Sequence, residues 1–232
     1  MNLPTLSSRL AACCSFVRPG DVVADIGCDH GYLGIYLLLK GIAKAVIAAD
    51  INQQPLDSAY TNAHKYCVKD SMSFYLSDGA RNIPREFDTM VCAGMGGDTI
   101  ISILEGAPWL KSDLYRLVLQ CQSKRPELRE YLYKNGWHIC SEILAKDGKF
   151  IYPVMLVSFG ATAPLSPGGY HISPALLAGN DPLLSEFYDR VVEGLKTTVH
   201  GLSHSGGEKY EHYSTVLKEL LEMEDMIHGN CC

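Results

Sequence analysis

The sequence lacks long apolar runs and an excess of positive charge. Within its 232 residues no stretch approaches the roughly 20 apolar residues that a membrane span requires. The net charge of -6 excludes a chain-wide basic surface of the kind that binds nucleic acid. The first residues, MNLPTLSSRLAACC, lack the basic segment and apolar run of an export signal. We therefore expect a cytoplasmic protein that does not enter a membrane.

The excess negative charge is confined to the C-terminal third. Residues 1–160 carry 16 basic and 16 acidic residues, whereas residues 161–232 carry 4 basic and 10 acidic ones. Any surface that binds anions must therefore be local.

The nine cysteines lack the spacing of a zinc site. Cys13–Cys14 and Cys231–Cys232 are adjacent pairs rather than Cys-x-x-Cys motifs. Their odd number in a long chain does not favour a disulfide framework. We expect free or buried thiols and no metal site.

Strand-like apolar runs alternate with helical patterns through the first 160 residues. Strands are predicted at 22–26, 45–50, 73–76, 88–94 and 115–120, and helices at 7–14, 31–41, 55–67, 97–106 and 123–136. Residues 137–160 form two further strands joined at Asp147-Gly148, a hairpin signal. The predicted fold class is α/β, a doubly wound Rossmann-like sheet that closes with an antiparallel C-terminal hairpin. This is the architecture of S-adenosyl-L-methionine-dependent methyltransferases.

A second, smaller unit is predicted after the sheet. Residues 161–173 are rich in Pro, Gly and Ser and form a predicted linker. Apolar residues then recur every three or four positions from Leu184 to Leu202 and from Tyr213 to Ile227. These stripes predict an α-helical hairpin or short coiled coil within residues 174–232. The domain prediction is thus a methyltransferase domain over 1–160, a linker and a helical hairpin.

The turn after the first strand, within ADIGCDHGYLG (24–34), contains acidic side chains. A carboxylate at Asp29 would repel a pyrophosphate, but it suits a cationic ligand. S-adenosyl-L-methionine carries an ammonium and a sulfonium and has no phosphate. Gly27 can make the tight turn, and Asp25 can accept a hydrogen bond from the amino group of the cofactor.

Two further carboxylates follow predicted strands, where ligands bind in open α/β sheets. Asp50 ends the second strand and can bind the ribose hydroxyls. Asp78 follows the third strand and can accept a hydrogen bond from the adenine amino group. Alternatively, Asp50 caps the next helix and Asp78 belongs to an ordinary turn.

The fourth strand ends in AGMGG (93–97). Neither the Asp/Asn-Pro-Pro-aromatic motif of exocyclic-amine methyltransferases nor the Pro-Cys nucleophile of C5-cytosine methyltransferases is present. Cys92 is expected to face the core of the sheet. The glycines either admit a flat ligand or only make a tight turn.

Several segments together resemble the bacterial tRNA (adenine-22-N1)-methyltransferase family over residues 6–160. They are DVVADIGCDHGYLGIYLL, AGMGG with DTIISILEG, LVLQ, LREYLYKNGW and DGKFIYPVMLVSFG. The resemblance implies methylation of adenine N1 in the D-loop region of tRNA, with S-adenosyl-L-methionine as cofactor. A helical C-terminal appendage also fits this family.

The resemblance also implies residue roles. Asp29 and Met95 are the catalytic candidates, although Asp29 is equally expected to bind only the cofactor. The expected cofactor-binding residues are Asp25, Gly27, Cys28, Asp29, His30 and Tyr32 on the methionine side, Asp50 and Ile51 at the ribose, Asp78 and Gly79 at the adenine, and Ala93, Gly94 and Met95 at the methyl-transfer wall.

The predicted substrate contacts follow the fifth strand. Gln120-Cys121-Gln122 replaces the Gln-Pro-Asn common in the family, so the contact of Gln120 and Gln122 with the target base is left open. Phosphate contacts are predicted for Lys124, Arg125, Arg129 and, if the N-terminal helix covers the site, Arg9. The alternative for these basic residues is a solvated helix face.

The expected partner is tRNA, and a monomer is favoured. Two other functions stay open on the sequence alone: a methyltransferase for small molecules, and a non-catalytic regulatory or interaction protein that binds S-adenosyl-L-methionine.

Overall fold

The computed structural model describes residues 3–160, 163–204 and 206–229. Cys231, Cys232 and the first two residues of the predicted linker lie outside these ranges. The elements of the first part are α1 (Ser8–Cys14), β1 (Val22–Ile26), α2 (Tyr32–Leu39), β2 (Ala45–Asp50), α3 (Gln53–Lys65), β3 (Met72–Leu76), β4 (Thr89–Met95), α4 (Gly97–Glu105), β5 (Arg116–Cys121), α5 (Arg125–Lys134), β6 (Trp137–Asp147) and β7 (Phe150–Phe159).

These strands form one seven-stranded sheet in the order β3-β2-β1-β4-β5-β7-β6. Strands β1 to β5 are parallel, and β7 pairs antiparallel to both β5 and β6. Successive side chains of a strand point to opposite faces, so Val23 packs with the core of one face and Ala24 with the core of the other. Both faces are covered by helices, and the predicted doubly wound sheet with its closing hairpin is confirmed.

Element boundaries differ from the prediction by a few residues. Helix α5 begins at Arg125 rather than at residue 123, because Lys124 has φ +54°, in the left-handed region that ends helical backbone. The hairpin loop consists of Gly148 and Lys149, since Asp147 still pairs with Phe150.

The C-terminal region is helical, as predicted, but it contains four helices rather than two in the described part of the chain. They are α6 (Pro174–Ala178), α7 (Leu184–Leu202), α8 (Glu208–Leu221) and α9 (Glu224–His228). The prediction of one continuous helix through Tyr213 and Ile227 is therefore wrong. A tight turn, in which the Met223 amide donates to the Leu220 carbonyl at 2.9 Å, ends α8. The turn allows His228 to contact Ser185 and Asp189 of α7.

The helical region packs directly on the sheet. Its apolar core includes Leu144 and Ile151 of the β6–β7 hairpin together with Phe187 of α7 and Val216 of α8. The described part of the predicted linker is also ordered: the Gly168 amide donates to Glu219 Oε2 at 2.7 Å. The division into domains stays a prediction. None of the helices in the described ranges is long and apolar enough to cross a membrane.

Candidate functional site

The carboxyl end of β1 places a buried carboxylate beside a tight turn. Asp25 is only 4% exposed, and its Oδ2 has no hydrogen-bond partner within the described residues. Burial raises the pKa of this carboxyl group to about 7, the Gly34 amide opposes the rise, and the Asp50 and Asp29 carboxylates add to it. Gly27 follows with φ +69°, and its amide donates to the Ala49 carbonyl at 2.8 Å. A buried oxygen without a donor fits a ligand that supplies one, such as an ammonium group.

The carboxyl end of β2 fixes the same turn from the other side. Asp50 accepts hydrogen bonds from the amides of Asn52 at 2.9 Å and Asp29 at 3.3 Å. Asp29 takes a left-handed conformation with φ +50°, and its side chain is 73% exposed, with His30 at 3.6 Å. Asp29 therefore lies at the rim of the site, whereas Asp25 and Asp50 lie inside it.

Two cavities lie along this edge of the sheet. One, of about 320 Å³, is lined by residues of α1, the β1 turn and the end of β4. The other, of about 470 Å³, is lined by the ends of β2, β3 and β4 and the first turns of α4. Gly27 and Met95 line both. Every residue predicted to bind the cofactor lines one cavity or the other: Asp25, Cys28, Asp29, His30, Tyr32, Ala93 and Gly94 the first, and Asp50, Ile51, Asp78 and Gly79 the second.

The lining residues of the two cavities suit the two parts of a nucleoside that carries an amino acid. The first contains the unpaired Asp25 oxygen, which suits an amino group. The second contains Asp50 beside Ile51, an apolar side chain that is exposed. An exposed isoleucine next to a carboxylate suits a base ring and its ribose, because the ring covers the apolar surface and the hydroxyls donate to the carboxylate.

The second cavity also has lining residues that the sequence analysis missed. Ser77, Asp98, Thr99 and Ser102 belong to this group. The last three lie in the first turns of α4, which directly follows AGMGG. Because α4 directly follows a glycine-rich strand end, the sequence alone could have indicated that its first residues line the site.

The ends of β4 and β5 are joined by one buried amide. Gln120 is fully buried, and its Oε1 accepts hydrogen bonds from the Gly94 amide at 2.9 Å and from Arg9 Nη1 at 3.3 Å. Its Nε2 has no partner in the described structure. Helix α1 thus covers the site, as the prediction for Arg9 required, and Gln122 is exposed beside Gly94.

The other predicted phosphate contacts separate into two groups. Lys124 is exposed at the edge of the site and pairs with Asp98. Arg125 points instead toward the helical region, with its guanidinium carbon 5.2 Å from the centre of the Phe187 ring. Arg129 is fully buried: it forms an ion pair with Glu142 and donates to the Tyr170 carbonyl at 3.0 Å. The prediction that Arg129 lies on an RNA-binding surface is wrong, because α5 turns this side chain into the core.

The thiols near the site are not poised for nucleophilic chemistry. All seven cysteines of the described ranges are free, as predicted for them. Burial raises the pKa values of Cys28 and Cys92 well above the ordinary range, and Cys92 packs in the sheet core as expected. Within the described residues no three His, Cys, Asp or Glu side chains are placed to hold a metal ion.

Comparison with known proteins agrees with this geometry. Residues 6–155 match the family model described as a methyltransferase domain. The chain is 34% identical to the tRNA (adenine(22)-N(1))-methyltransferase of Bacillus subtilis, over 88% of this chain and 84% of the relative.

Solved structures agree as well. The B. subtilis m1A22 tRNA methyltransferase TrmK superposes with a TM-score of 0.79 at 26% identity, covering 98% of this chain and 99% of that one. A Streptococcus pneumoniae protein in complex with S-adenosyl-L-methionine superposes with a TM-score of 0.83 at 25% identity, covering 95% and 100%. The chain therefore belongs to the tRNA (adenine(22)-N(1))-methyltransferase family.

Proposed function

We propose that this protein is an enzyme that transfers the methyl group of S-adenosyl-L-methionine to N1 of adenine 22 in tRNA, the reaction named for its B. subtilis relative. The single observation that carries the proposal is the unpaired oxygen of buried Asp25 in a cavity beside Gly27. We place the activity in the cytoplasm and expect a monomer.

The residues of both cavities fit the cofactor. Asp25 would accept hydrogen bonds from its ammonium group, Asp50 from its ribose hydroxyls and Asp78 from its adenine amino group. Gly27 and Met95, which line both cavities, mark the boundary between the amino-acid half and the nucleoside half. The chemistry that S-adenosyl-L-methionine supplies when bound is an electrophilic methyl group on a sulfonium.

The acceptor requires little acid–base help from the protein. Neutral adenine has a lone pair at N1, so no strong base is needed. The protein must hold the target base outside its stack and orient it. Ala93 and Gly94 offer a wall without large side chains, and Gln120 Nε2 is a donor without a partner in the described residues. We assign Gln120 and Gln122 to the base.

Asp29 is proposed to assist from the rim. Its exposed carboxylate can accept a hydrogen bond from the adenine N6 amino group and stabilise the positive charge that N1 methylation creates. Arg9 lines the first cavity and Lys124 is exposed at the edge of the site. They would contact RNA phosphates after exchanging their carboxylate partners, Asp147 and Asp98. Binding should therefore weaken with added salt.

The test is methyl transfer from labelled S-adenosyl-L-methionine to an unmodified tRNA transcript, followed by nuclease digestion and chromatography of the nucleosides. We expect all label in 1-methyladenosine. The control is Asp25→Asn, which should transfer none at the same protein concentration. Tight cofactor binding without transfer to any tRNA would contradict the proposal.

A further inference from the structure

A third cavity, of about 340 Å³, lies between α5 and α7 and shares no lining residue with the cofactor cavities. Its polar lining consists of Arg125, Arg129, Arg190, His171, Thr198 and Tyr213, and no Asp or Glu is among its lining residues. The chain has net charge -6, and its acidic excess lies in the C-terminal region that forms one wall of this cavity. The cavity lining, with three arginines and no acidic residue, therefore contrasts with the acidic composition of the region around it.

Two of these arginines have carboxylate partners that are not part of the cavity lining. Arg129 pairs with the buried Glu142, and Arg190 pairs with Glu186. Arg125 has no carboxylate partner in the described ranges; its polar contact is a long hydrogen bond of 3.4 Å to the Ile151 carbonyl. Its guanidinium lies over the Phe187 ring. Arg125 is thus the one arginine of the cavity lining without an ion-pair partner in the described residues, and the carboxylate that acts on its charge, Glu142, is already paired with Arg129.

The histidine of the cavity lining adds no second charge to that of Arg125. Burial, with the charge of Arg129 next in effect, lowers the pKa of His171 to about 4, so this ring is neutral at pH 7. The carboxylates nearest the cavity are the partners already named, Glu142 and Glu186. Glu127 and Glu130 line a neighbouring cavity that shares Pro126, His171 and Tyr213 with this one.

Helix α7 leaves space for a ligand at this wall. Gly194 lies within the helix, where glycine is unfavourable, and a Cβ added there would meet no atom within 4 Å. The opposite wall is close to the substrate side of the sheet: α5 begins at Arg125, two residues after Ser123, whose carbonyl accepts from the Gly97 amide at 2.9 Å. The cavity is therefore adjacent to the edge that the target base must approach.

We infer that this cavity binds a phosphate group, and that the phosphate is a backbone phosphodiester of the RNA substrate, held by Arg125 while the target base occupies the methylation site. Guanidinium groups bind phosphate with paired hydrogen bonds. This inference rests on the proposed function, because it takes tRNA as the substrate.

The test compares tRNA affinity at several salt concentrations for the full-length protein and two cavity variants. Arg125→Gln removes the charge that has no ion-pair partner in the described residues, and Gly194→Glu introduces a carboxylate into open space. Gly201→Glu is the matched control, since Gly201 also lies in α7 with no atom within 4 Å of an added Cβ and is about 10 Å farther along the helix. Cofactor affinity of each variant is measured in parallel as a test of folding.

We expect Arg125→Gln to weaken tRNA binding several-fold and to reduce the slope of log K against log salt by about 1, as loss of one phosphate contact requires. Gly194→Glu should weaken binding at least as much, and Gly201→Glu should bind like the wild type. Wild-type affinity and slope in both cavity variants would overturn the inference while leaving methyl transfer by the wild type intact. Failure of the wild type to bind any tRNA would overturn the proposed function as well.

Inorganic phosphate distinguishes an RNA phosphodiester from a free phosphate compound. Phosphate should compete with tRNA for the wild type more strongly than chloride at equal ionic strength, and this difference should vanish in Arg125→Gln. Phosphate binding that depends on Arg125 without any change in tRNA affinity would assign the cavity to a small phosphorylated ligand and overturn the RNA assignment.

Discussion

The terminal methyl group of Met95 lies directly over Gly27, at the point where the two cofactor cavities meet. A Cβ on Gly27 would stand 2.3 Å from Met95 Cε, and Gly27 also has φ +69°. The turn after β1 therefore requires glycine for its backbone conformation, and an added Cβ would also displace the Met95 methyl group.

Replacement of Gly27 by alanine should consequently lower cofactor affinity by at least tenfold. Relief of the clash requires a shift of the Met95 methyl group, and Met95 lines both cavities. The control is Gly20→Ala, which has a similar backbone cost at φ +88° but no atom within 4 Å of the added methyl group. Calorimetric titration with S-adenosyl-L-methionine measures both. Equal cofactor affinities for the two variants would show that displacement of Met95 by a side chain at position 27 does not affect cofactor binding.

Asp25 should make the stability of the ligand-free protein depend on pH. Its folded-state pKa of about 7 exceeds the ordinary value of 3.8, so the folded protein holds this proton more tightly than the unfolded chain. Stability from this group is therefore full below pH 4 and is lost as pH rises toward 7 and above, by roughly 4 kcal/mol. Asp25→Asn should lack this component. The measurement is the unfolding free energy in urea of the wild type minus that of Asp25→Asn, from pH 5 to pH 8. A difference that stays constant over this range would contradict the prediction.

The same residue predicts an opposite trend for the cofactor. An ammonium group favours the ionised carboxylate, so wild-type affinity for S-adenosyl-L-methionine should rise as pH increases through 7. Asp25→Asn should bind weakly and show no rise over this range. Cofactor titrations of both proteins at pH 6 and pH 8 test this prediction. If affinity also rises with pH in Asp25→Asn, the rise comes from another titrating group.

The Arg129–Glu142 pair should be a structural requirement rather than a substrate contact. Both side chains are fully buried, and removing one partner leaves an uncompensated charge. Glu142→Gln should therefore destabilise the protein by about 3 kcal/mol in urea unfolding. The double variant Arg129→Met with Glu142→Leu should lose less unfolding free energy than either single variant. A Glu142→Gln protein of wild-type stability would contradict this assignment.

Arg9 should act on the substrate step more than on the cofactor. It donates to Gln120 Oε1, which also accepts from the Gly94 amide, and so fixes the side chain that we assign to the base. Arg9→Ala should lower kcat/KM for tRNA about tenfold and change the cofactor Kd less than threefold. Arg18→Ala is the control, since Arg18 is an exposed arginine just after α1. If Arg9→Ala changes only the cofactor affinity, Arg9 does not act on the substrate step.

The sequence predicted those features that depend on local pattern. Asp25 and Asp50 were identifiable because buried strands end at them, and the carboxyl ends of parallel strands share one edge. The burial of Arg129 does not follow from local pattern, because it depends on contacts with the carbonyls of residues 41 and 42 positions later. The break at Met223 is not predictable from the apolar spacing, because that spacing continues through it. The contacts of His228 that accompany the break are tertiary.

The most direct test of the central claim is to map the product on the RNA. After incubation with the protein and S-adenosyl-L-methionine, an unmodified tRNA transcript is copied by reverse transcriptase, which stops where N1 methylation blocks pairing. We predict one new stop, at adenine 22, absent from a transcript with guanine at that position and absent with Asp25→Asn. Labelled RNA without a stop, or a stop at another nucleotide, would contradict the assignment of adenine 22 N1 as the acceptor.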